Sequence, residues 1–207
     1  VRWFFYNNAA PWMPNRFHAK AIDETTRKYM GTLWNTYAFF ILYAEIDQFN
    51  PKEHPLDKAE LTLMDRWILS RLNSLVREVD DDLNEYKIFE ASRAMTDFMD
   101  DLSNWYVRRS RERFWGKGMA GDKEAAFATL YHVLETMSRL TAPFTPFMAE
   151  NMYRNLVCSV DKDAPISVHL CSFPVCDESF VDTELEKGME DVLEIVALGR
   201  AARNGSN

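Results

Sequence analysis

Residues 102–117 read LSNWYVRRSRERFWGK, and this stretch predicts the fold of the chain around it. Nothing in it interrupts a helix before Gly116, and a spacing of about 100° per residue sorts its side chains onto separate faces. One face carries Leu102, Tyr106, Ser110 and Phe114. Another carries Asn104, Arg108, Arg111 and Trp115. We therefore predict a helix with one side in a core and a basic, aromatic side turned toward a partner.

The basic side of this helix contrasts with the chain as a whole, whose formal net charge is −8. Its cations are Arg108, Arg109, Arg111, Arg113 and Lys117. Guanidinium groups match phosphate with a planar fork, and an indole stacks on exposed bases. A solvated helix face explains the same residues, since Glu112 lies four residues after Arg108 and can pair with it. Arg109 and Arg113 lie at the margin of the buried face, where a structural ion pair is the alternative.

Apolar residues at intervals of three and four predict further long helices on both sides of this segment. The predicted helices span 19–46, 61–86, 89–115, 122–142, 146–156 and 182–203. Asp122 is expected to cap the fourth helix and Thr145 the fifth, with Pro146 in its first position. Long helices joined by short breaks predict an all-α fold, an antiparallel up-and-down bundle.

The two ends of the bundle lack the helical period. Residues 1–17 contain Pro11 and Pro14, and they read as a short strand followed by a loop. Residues 165–174 read as an extended segment because apolar and polar residues alternate there. The apolar ones are Ile166, Val168 and Leu170. With the last helix, this segment predicts a small extended and helical appendage at the C-terminal end.

Length and composition limit the functions that this chain can have. The chain has 207 residues, 47% of them hydrophobic, which suits one domain with a substantial core or one domain with an appendage. A pI near 5.1 excludes indiscriminate binding to nucleic acid, so any RNA contact must be a local basic patch. No apolar run approaches the roughly 20 residues of a membrane span, and no signal peptide is recognisable. We expect a cytoplasmic fragment of a longer protein, with no membrane partner.

The sequence contains no recognisable catalytic or metal-binding set. The histidines are His18, His54, His132 and His169, in four separate predicted elements and without a nucleophile nearby. The cysteines are Cys158, Cys171 and Cys176, which form no CxxC pair. The glycines at 116–121 follow no strand and precede no GK[ST], so they are not a phosphate loop. We expect neither a catalytic residue nor a metal ligand in this chain.

The tryptophans fall into two groups, those expected in the core and those that are candidates for contact with a base. Trp3, Trp34 and Trp67 have apolar neighbours and are expected in the core. Trp115 borders the arginines and is a candidate for base stacking, with core packing as the alternative. Trp105 also borders them, and either stacks on a base or fills a gap between helices.

Several segments, in order along the chain, resemble the anticodon-binding domain of isoleucyl-tRNA synthetases. DDLSNWYVRRSRERFW at 100–115 resembles a helix of that domain. The other matching segments are VRWFFYNNAAPW at 1–12, TLWNTYAFFILYAEIDQF at 32–49, LMDRWILSRLNSLVREV at 63–79, LTAPFTPFMAENMYRNL at 140–156 and SVHLCSFP at 167–174. The resemblance implies a link from a catalytic domain at 1–17, a helical anticodon-binding bundle at 18–157 and the start of a C-terminal junction at 158–207.

The resemblance also implies a function, namely binding of the anticodon stem-loop of tRNA(Ile). It implies that the tRNA is positioned for aminoacylation by a catalytic domain with ATP and Mg²⁺, next to an editing domain. The HIGH-type and KMSKS-type motifs of that chemistry do not occur in this sequence, and zinc is expected only in regions outside it. The candidate tRNA-binding residues are Asn104, Trp105, Arg108, Arg109, Arg111, Arg113, Trp115 and Lys117. The alternatives are a helical protein-interaction module and the corresponding domain of a valyl or leucyl synthetase.

Overall fold

A computed structural model describes residues 1–10, 12–14, 16–119 and 121–205 of the chain. The predicted all-α fold is confirmed, since these ranges contain helices and no strand. The α-helices are α1 (Arg2–Asn8), α2 (Ala19–Thr26), α3 (Thr32–Asp47), α4 (Leu63–Asn84), α5 (Ile88–Asp100), α6 (Arg108–Trp115), α7 (Asp122–Leu140), α8 (Pro146–Tyr153) and α9 (Thr183–Gly205). Wider π-helical turns join α2 to α3, join α5 to α6 and extend α8; they are Arg27–Gly31, Asp101–Val107 and Arg154–Cys158.

Helix α4 is the centre of the bundle, and it packs against α5, α7 and α9. It begins with a capping box, in which the Thr62 hydroxyl accepts from the amide of Asp65 while the Asp65 carboxylate accepts from the amide of Thr62. The apolar spacing in 61–86 predicts a core line of Ile68, Leu72, Leu75, Val79 and Leu83; the first four are buried and Leu83 is partly buried. Burying each of these side chains contributes about 1.5–3 kcal/mol relative to leaving it exposed. The short turn at 85–87, with Tyr86 at φ 60°, then reverses the chain into α5.

The N-terminal segment is a helix, and the predicted short strand is wrong. Helix α1 buries Trp3 and Phe4, and the Trp3 ring stacks on Tyr29 with centroids 3.9 Å apart. The Asn7 amide donates to the backbone oxygen of Ser92 at 3.1 Å, which fastens α1 to α5. A seven-residue helix is not stable alone, so packing on the bundle decides this conformation. The proposed boundaries at 17 and 157 stay predictions.

The predicted alternation at 165–174 is also wrong. Val168 is buried within a 3₁₀ turn, Val168–Leu170, whereas Ile166 and Leu170 are 74% and 66% exposed. The Glu150 carboxylate accepts from the Ser167 hydroxyl at 2.8 Å and from the Val168 amide at 3.0 Å. This carboxylate satisfies the Val168 amide, which a neighbouring strand would otherwise pair, and the segment folds as a turn against α8.

Two helices begin where the sequence predicts, and in a third the cap is a different residue from the predicted one. Thr145 and Pro146 occupy the predicted cap and first position of α8. Asp182, at the predicted start of the last helix, caps α9 by accepting from the Leu185 amide at 3.0 Å. Asp122 is not the cap of α7; Gly121, at φ 54°, takes that position and Asp122 is the first helical residue. Its carboxylate turns instead to Arg113, with 2.8 Å between the Arg113 Nε and Asp122 Oδ1 atoms.

The tryptophan predictions are confirmed for Trp3 and Trp67, which are buried, and wrong for Trp34, which is 40% exposed. Apolar side chains nearly surround α3, so its period does not indicate which of them points outward. None of the described helices is both long and apolar enough to cross a membrane.

Candidate nucleic-acid interface

The helix over 102–117 has the two faces that the sequence predicts. Its apolar face is buried; the residues are Leu102, Tyr106, Ser110 and Phe114. Its polar face is exposed; the residues are Asn104, Arg108, Arg111 and Trp115. The π-helical turn Asp101–Val107 lies between α5 and α6, and because it is wider than an α-turn, the 100° spacing holds only within α6. Such turns in a long helix occur often at functional sites.

A buried ion pair fixes the rotation of this helix. The Asp65 carboxylate on α4 accepts two hydrogen bonds from Arg113, at 2.8 and 2.7 Å, and one from the Tyr106 hydroxyl at 2.6 Å. Burial alone would raise the pKa of Asp65, but these hydrogen bonds and that from Thr62 outweigh it and hold the pKa below its ordinary value. Arg113 is therefore a structural residue, the alternative that the sequence left open, and its guanidinium is not free for phosphate.

A second contact fixes the end of α6, where Trp115 lies. Lys123 donates to the backbone oxygen of Gly116 at 2.6 Å and pairs with Asp47 at 2.6 Å. The turn after Trp115 is thus tied to both α3 and α7. Trp115 itself is 56% exposed and lines an open depression of about 570 Å³, together with Lys117. Because its backbone is fixed and its ring is open, the indole can stack on a flat ligand.

Arg108, Arg111 and Lys117 are cations on or next to this face that the structure leaves in solvent, as it also leaves Arg109 at the margin. All three are exposed, and none forms an ion pair with any other residue in the described part of the chain. The possible pair between Arg108 and Glu112 is absent there. Asn104 is exposed too, with its amide donating to the Asp100 carboxylate of the preceding turn. Exposed, unpaired guanidinium and ammonium groups retain their capacity to bind phosphate.

Trp105 brings a cation from a distant helix into the site. The ring is half-buried against the main core. The guanidinium carbon of Arg109 lies 5.5 Å from the ring centroid, and that of Arg200 on α9 lies 5.7 Å from it. No pattern in the sequence associates Arg200 with this site, since its place at the end of α9 is explained by the helix dipole. Only the packing of α9 brings it here.

Of the acidic residues beside the arginines, Asp101 forms a salt bridge within the fold. The Asp101 carboxylate accepts from the Nε atom of Arg71 at 3.1 Å, and Arg71 also pairs with Glu186 at 3.5 Å. Burial raises the pKa of Asp101, against the lowering effect of Arg71. Asp97 and Asp100 are exposed on the same side. They limit the basic surface and disfavour an anion placed beyond Asn104.

The described residues hold no cluster of three or more histidine, cysteine or acidic side chains suited to a metal ion. His132, in the middle of α7, is half-buried next to Phe180, and burial lowers its pKa. The thiols of Cys158, Cys171 and Cys176 are free. The exposed cations of the helix and the open ring of Trp115 are suited to holding a phosphate backbone and an unstacked base.

Known proteins are similar to this chain along its whole length. Residues 65–207 match the family described as the anticodon-binding domain of tRNA ligase. The chain is similar to isoleucine–tRNA ligases of Clostridium novyi (strain NT), at 54% identity over 207 residues, and Clostridium kluyveri, at 49% over 207 residues. The ligase of Dehalococcoides mccartyi (strain CBDB1) is 48% identical over 204 residues, or 99% of the chain. The first two alignments cover all of the chain, and in each case the chain spans 20% of the relative.

Proposed function

The chain belongs to the family of anticodon-binding domains of tRNA ligases, and from this premise we propose that it binds the anticodon stem-loop of a tRNA on the exposed face of α6. One observation carries the location. Arg108, Arg111 and Lys117 are exposed and unpaired within the described ranges, and they lie along the same helix end as the open indole of Trp115. This is the juxtaposition that a phosphate backbone with a splayed base requires.

Contacts that position the RNA differ from contacts that read its sequence. Arginine and lysine contacts to phosphate position the RNA without reading its sequence. An indole stacks on any base, and sequence is read by hydrogen bonds to the base edges. Asn104 is the candidate for such a bond, once its amide leaves Asp100. The acidic remainder of the surface repels RNA in other orientations, which favours a single docking geometry.

The parent protein in this proposal is an ATP-dependent isoleucine–tRNA ligase in the cytoplasm. Identities of 46–54% to ligases of that name over the whole chain support isoleucine over valine or leucine. The bundle would hold tRNA(Ile) while a catalytic domain joins isoleucine to its acceptor end and an editing domain removes errors. Those domains, ATP and Mg²⁺ lie outside the 20% that this chain represents.

Binding measurements on this chain test the proposal. We expect it to bind tRNA(Ile) and its isolated anticodon stem-loop more tightly than tRNA(Val), tRNA(Leu) or a pool of acidic peptides. Affinity should be modest, since contacts to the acceptor arm belong to other domains and their multivalent gain is missing. Preference for acidic peptides would favour a protein-interaction module, and preference for tRNA(Val) or tRNA(Leu) would change the amino acid. Crosslinking of the bound stem-loop should then map to the end of α6.

A further inference from the structure

We propose that Trp105 is a positioning residue that directs two arginines, Arg109 of α6 and Arg200 of α9, toward the RNA backbone. The helix α9 then forms part of the RNA-binding surface. The inference rests on the proposed function and adds to it. It assigns Arg200 to the interface and gives Trp105 a role other than base stacking.

The geometry of the ring is the first support. Trp105 lies in the π-helical turn Asp101–Val107 and is held from one side by the main core. The guanidinium carbons of Arg109 and Arg200 lie 5.5 and 5.7 Å from its centroid, within the range of a cation–π contact. One indole thus brings together two long side chains of different helices. A half-buried ring restricts both arginines, so less conformational entropy is lost when they bind phosphate.

The charges around the two arginines are the second support. Both are exposed, and neither forms an ion pair with another of the residues that the structure describes. A cation held over a ring keeps most of its hydrogen-bond donors free and its charge uncompensated. The donors of Arg113 are instead used by Asp65 and Asp122, and the Asp65 carboxylate compensates its charge. The acids of α9 lie between Glu184 and Glu194, while Arg200 and Arg203 follow them. The end of α9 is therefore its basic part.

The anchoring of α9 is the third support. The buried Glu186 carboxylate accepts from the Ser74 hydroxyl at 2.8 Å and from the Ser70 hydroxyl, both on α4. Asp182 pairs with Arg66 at 3.2 Å. These contacts hold the first turns of α9 on the bundle, and the direction of the helix then determines where Arg200 lies. At the opposite end of the same helix, Arg200 contacts the Trp105 ring.

The same contacts argue against base stacking on Trp105. Two guanidinium groups already lie over the ring, in the region that a stacked base would have to occupy. Trp115 has no such neighbour among the described residues and is the more exposed of the two. The two tryptophans thus have different roles, Trp115 toward a base and Trp105 toward the cations that contact phosphate.

The test compares tRNA(Ile) binding and its salt dependence in Trp105→Leu, Trp105→Phe and Arg200→Ala. Arg200→Ala should weaken binding at low salt and make the log–log salt slope shallower by about 0.7–0.9. Between 50 and 200 mM salt, its affinity should therefore fall about threefold less than that of the wild type. Trp105→Leu keeps an apolar side chain without the π face, so it should weaken binding and flatten the slope. Its melting temperature should fall only modestly, because the ring is half-buried. Trp105→Phe should restore most of both. Combining Trp105→Leu with Arg200→Ala should weaken binding by less than the two separate effects together.

Controls separate failure of this inference from failure of the proposed function. Arg93→Ala removes an exposed arginine that lies over Phe89 on α5, and it should leave binding unchanged. Wild-type affinity and slope in Arg200→Ala, with binding lost in Arg111→Ala, would refute the role of α9 alone. Unchanged binding in Arg111→Ala and Trp115→Ala as well would refute the proposed function. If Trp105→Leu does not fold, non-additive losses in Arg109→Ala and Arg200→Ala still support the shared platform, and additive losses contradict it.

Discussion

Arg113 of α6 and Asp65 of α4 form a bidentate ion pair, with N–O distances of 2.8 and 2.7 Å, on the inner side of the basic helix. The Asp65 side chain is fully buried, and that of Arg113 is 13% exposed. Arg111, two residues earlier, is exposed and unpaired within the described ranges. The pair therefore fixes the orientation of α6 and removes Arg113 from the exposed cations of this helix.

Asp65→Asn should destabilise the fold strongly, because it leaves the guanidinium of Arg113 without its buried carboxylate partner. Breaking a buried pair in this way costs about 3–5 kcal/mol. Urea unfolding followed by circular dichroism measures the change. Arg111→Ala is the matched control, since it removes an exposed arginine of the same helix and should alter stability by less than about 0.5 kcal/mol. Equal stability of the two variants would contradict the structural role of the pair.

The loss of folding stability at acidic pH should depend on the Asp65 carboxylate. The pKa of Asp65 is lowered in the fold, so its contribution is fully present above the unfolded value, about 3.9, and is lost as pH falls through the lower folded value. The difference in unfolding free energy between wild type and Asp65→Asn should be constant above about pH 5 and shrink below about pH 4. Unfolding curves at closely spaced pH values measure it. A difference that grew on acidification would imply a raised pKa.

Trp115→Ala should separate binding from folding. If the indole stacks on a base of the anticodon loop, its loss costs about 1–3 kcal/mol of RNA binding. The fold should change little, because the side chain is 56% exposed and lies outside the core. Fluorescence titration with tRNA(Ile) and thermal unfolding are measured on the same sample. A large fall in melting temperature would place Trp115 in the core instead.

Trp67→Ala is the control for that experiment. Trp67 is 1% exposed, and removing a buried aromatic side chain of this size costs about 3–5 kcal/mol of stability. Trp34 appears from the sequence to be an equivalent control, but at 40% exposure it should unfold the chain far less. Melting temperatures should therefore fall in the order Trp115→Ala, Trp34→Ala, Trp67→Ala, with the last variant the least stable.

Salt dependence tests the phosphate contacts. If Arg108, Arg111 and Lys117 each neutralise a phosphate, every contact contributes about −0.7 to −0.9 to the slope of log K against log salt concentration. Arg111→Ala should make that slope shallower by about one contact. Arg154→Ala is the comparison, because Arg154 is already paired with Glu150 at 3.0 Å and should leave the slope unchanged. An unaltered slope and affinity in Arg111→Ala would remove it from the interface.

The chain should show no isoleucine-dependent exchange of pyrophosphate into ATP. Neither the HIGH-type nor the KMSKS-type motif occurs in its sequence, and activation of the amino acid needs the site that they form. The assay compares the native chain with a heat-treated sample. Exchange above that background would require a catalytic site that the sequence does not indicate.

Much of the helical architecture could be predicted from local pattern alone. The periods of three and four residues indicated α4, α7 and α9, and they sorted Tyr106 inward and Arg108 outward. The pairing of Thr145 with Pro146 marked the start of α8, since proline at the first helical position has no N–H that would lack a partner and its φ already suits a helix. The candidate surface for RNA was also visible in the sequence, as a group of cations on a chain of net charge −8.

The sequence by itself thus determined where the long helices of the bundle lie and which face of the basic helix is polar, because both depend on spacing within about two turns of chain. The roles of Trp34, Arg113 and Arg200, and the helical state of α1, were decided by tertiary structure. Three of these depend on a partner distant in sequence: Asp65 for Arg113, Trp105 for Arg200 and Tyr29 for Trp3 in α1. The exposure of Trp34 depends on which side of α3 the other helices cover. Periodicity records how side chains are distributed around one helix, whereas the choice of partner is made by the packing of helices against one another.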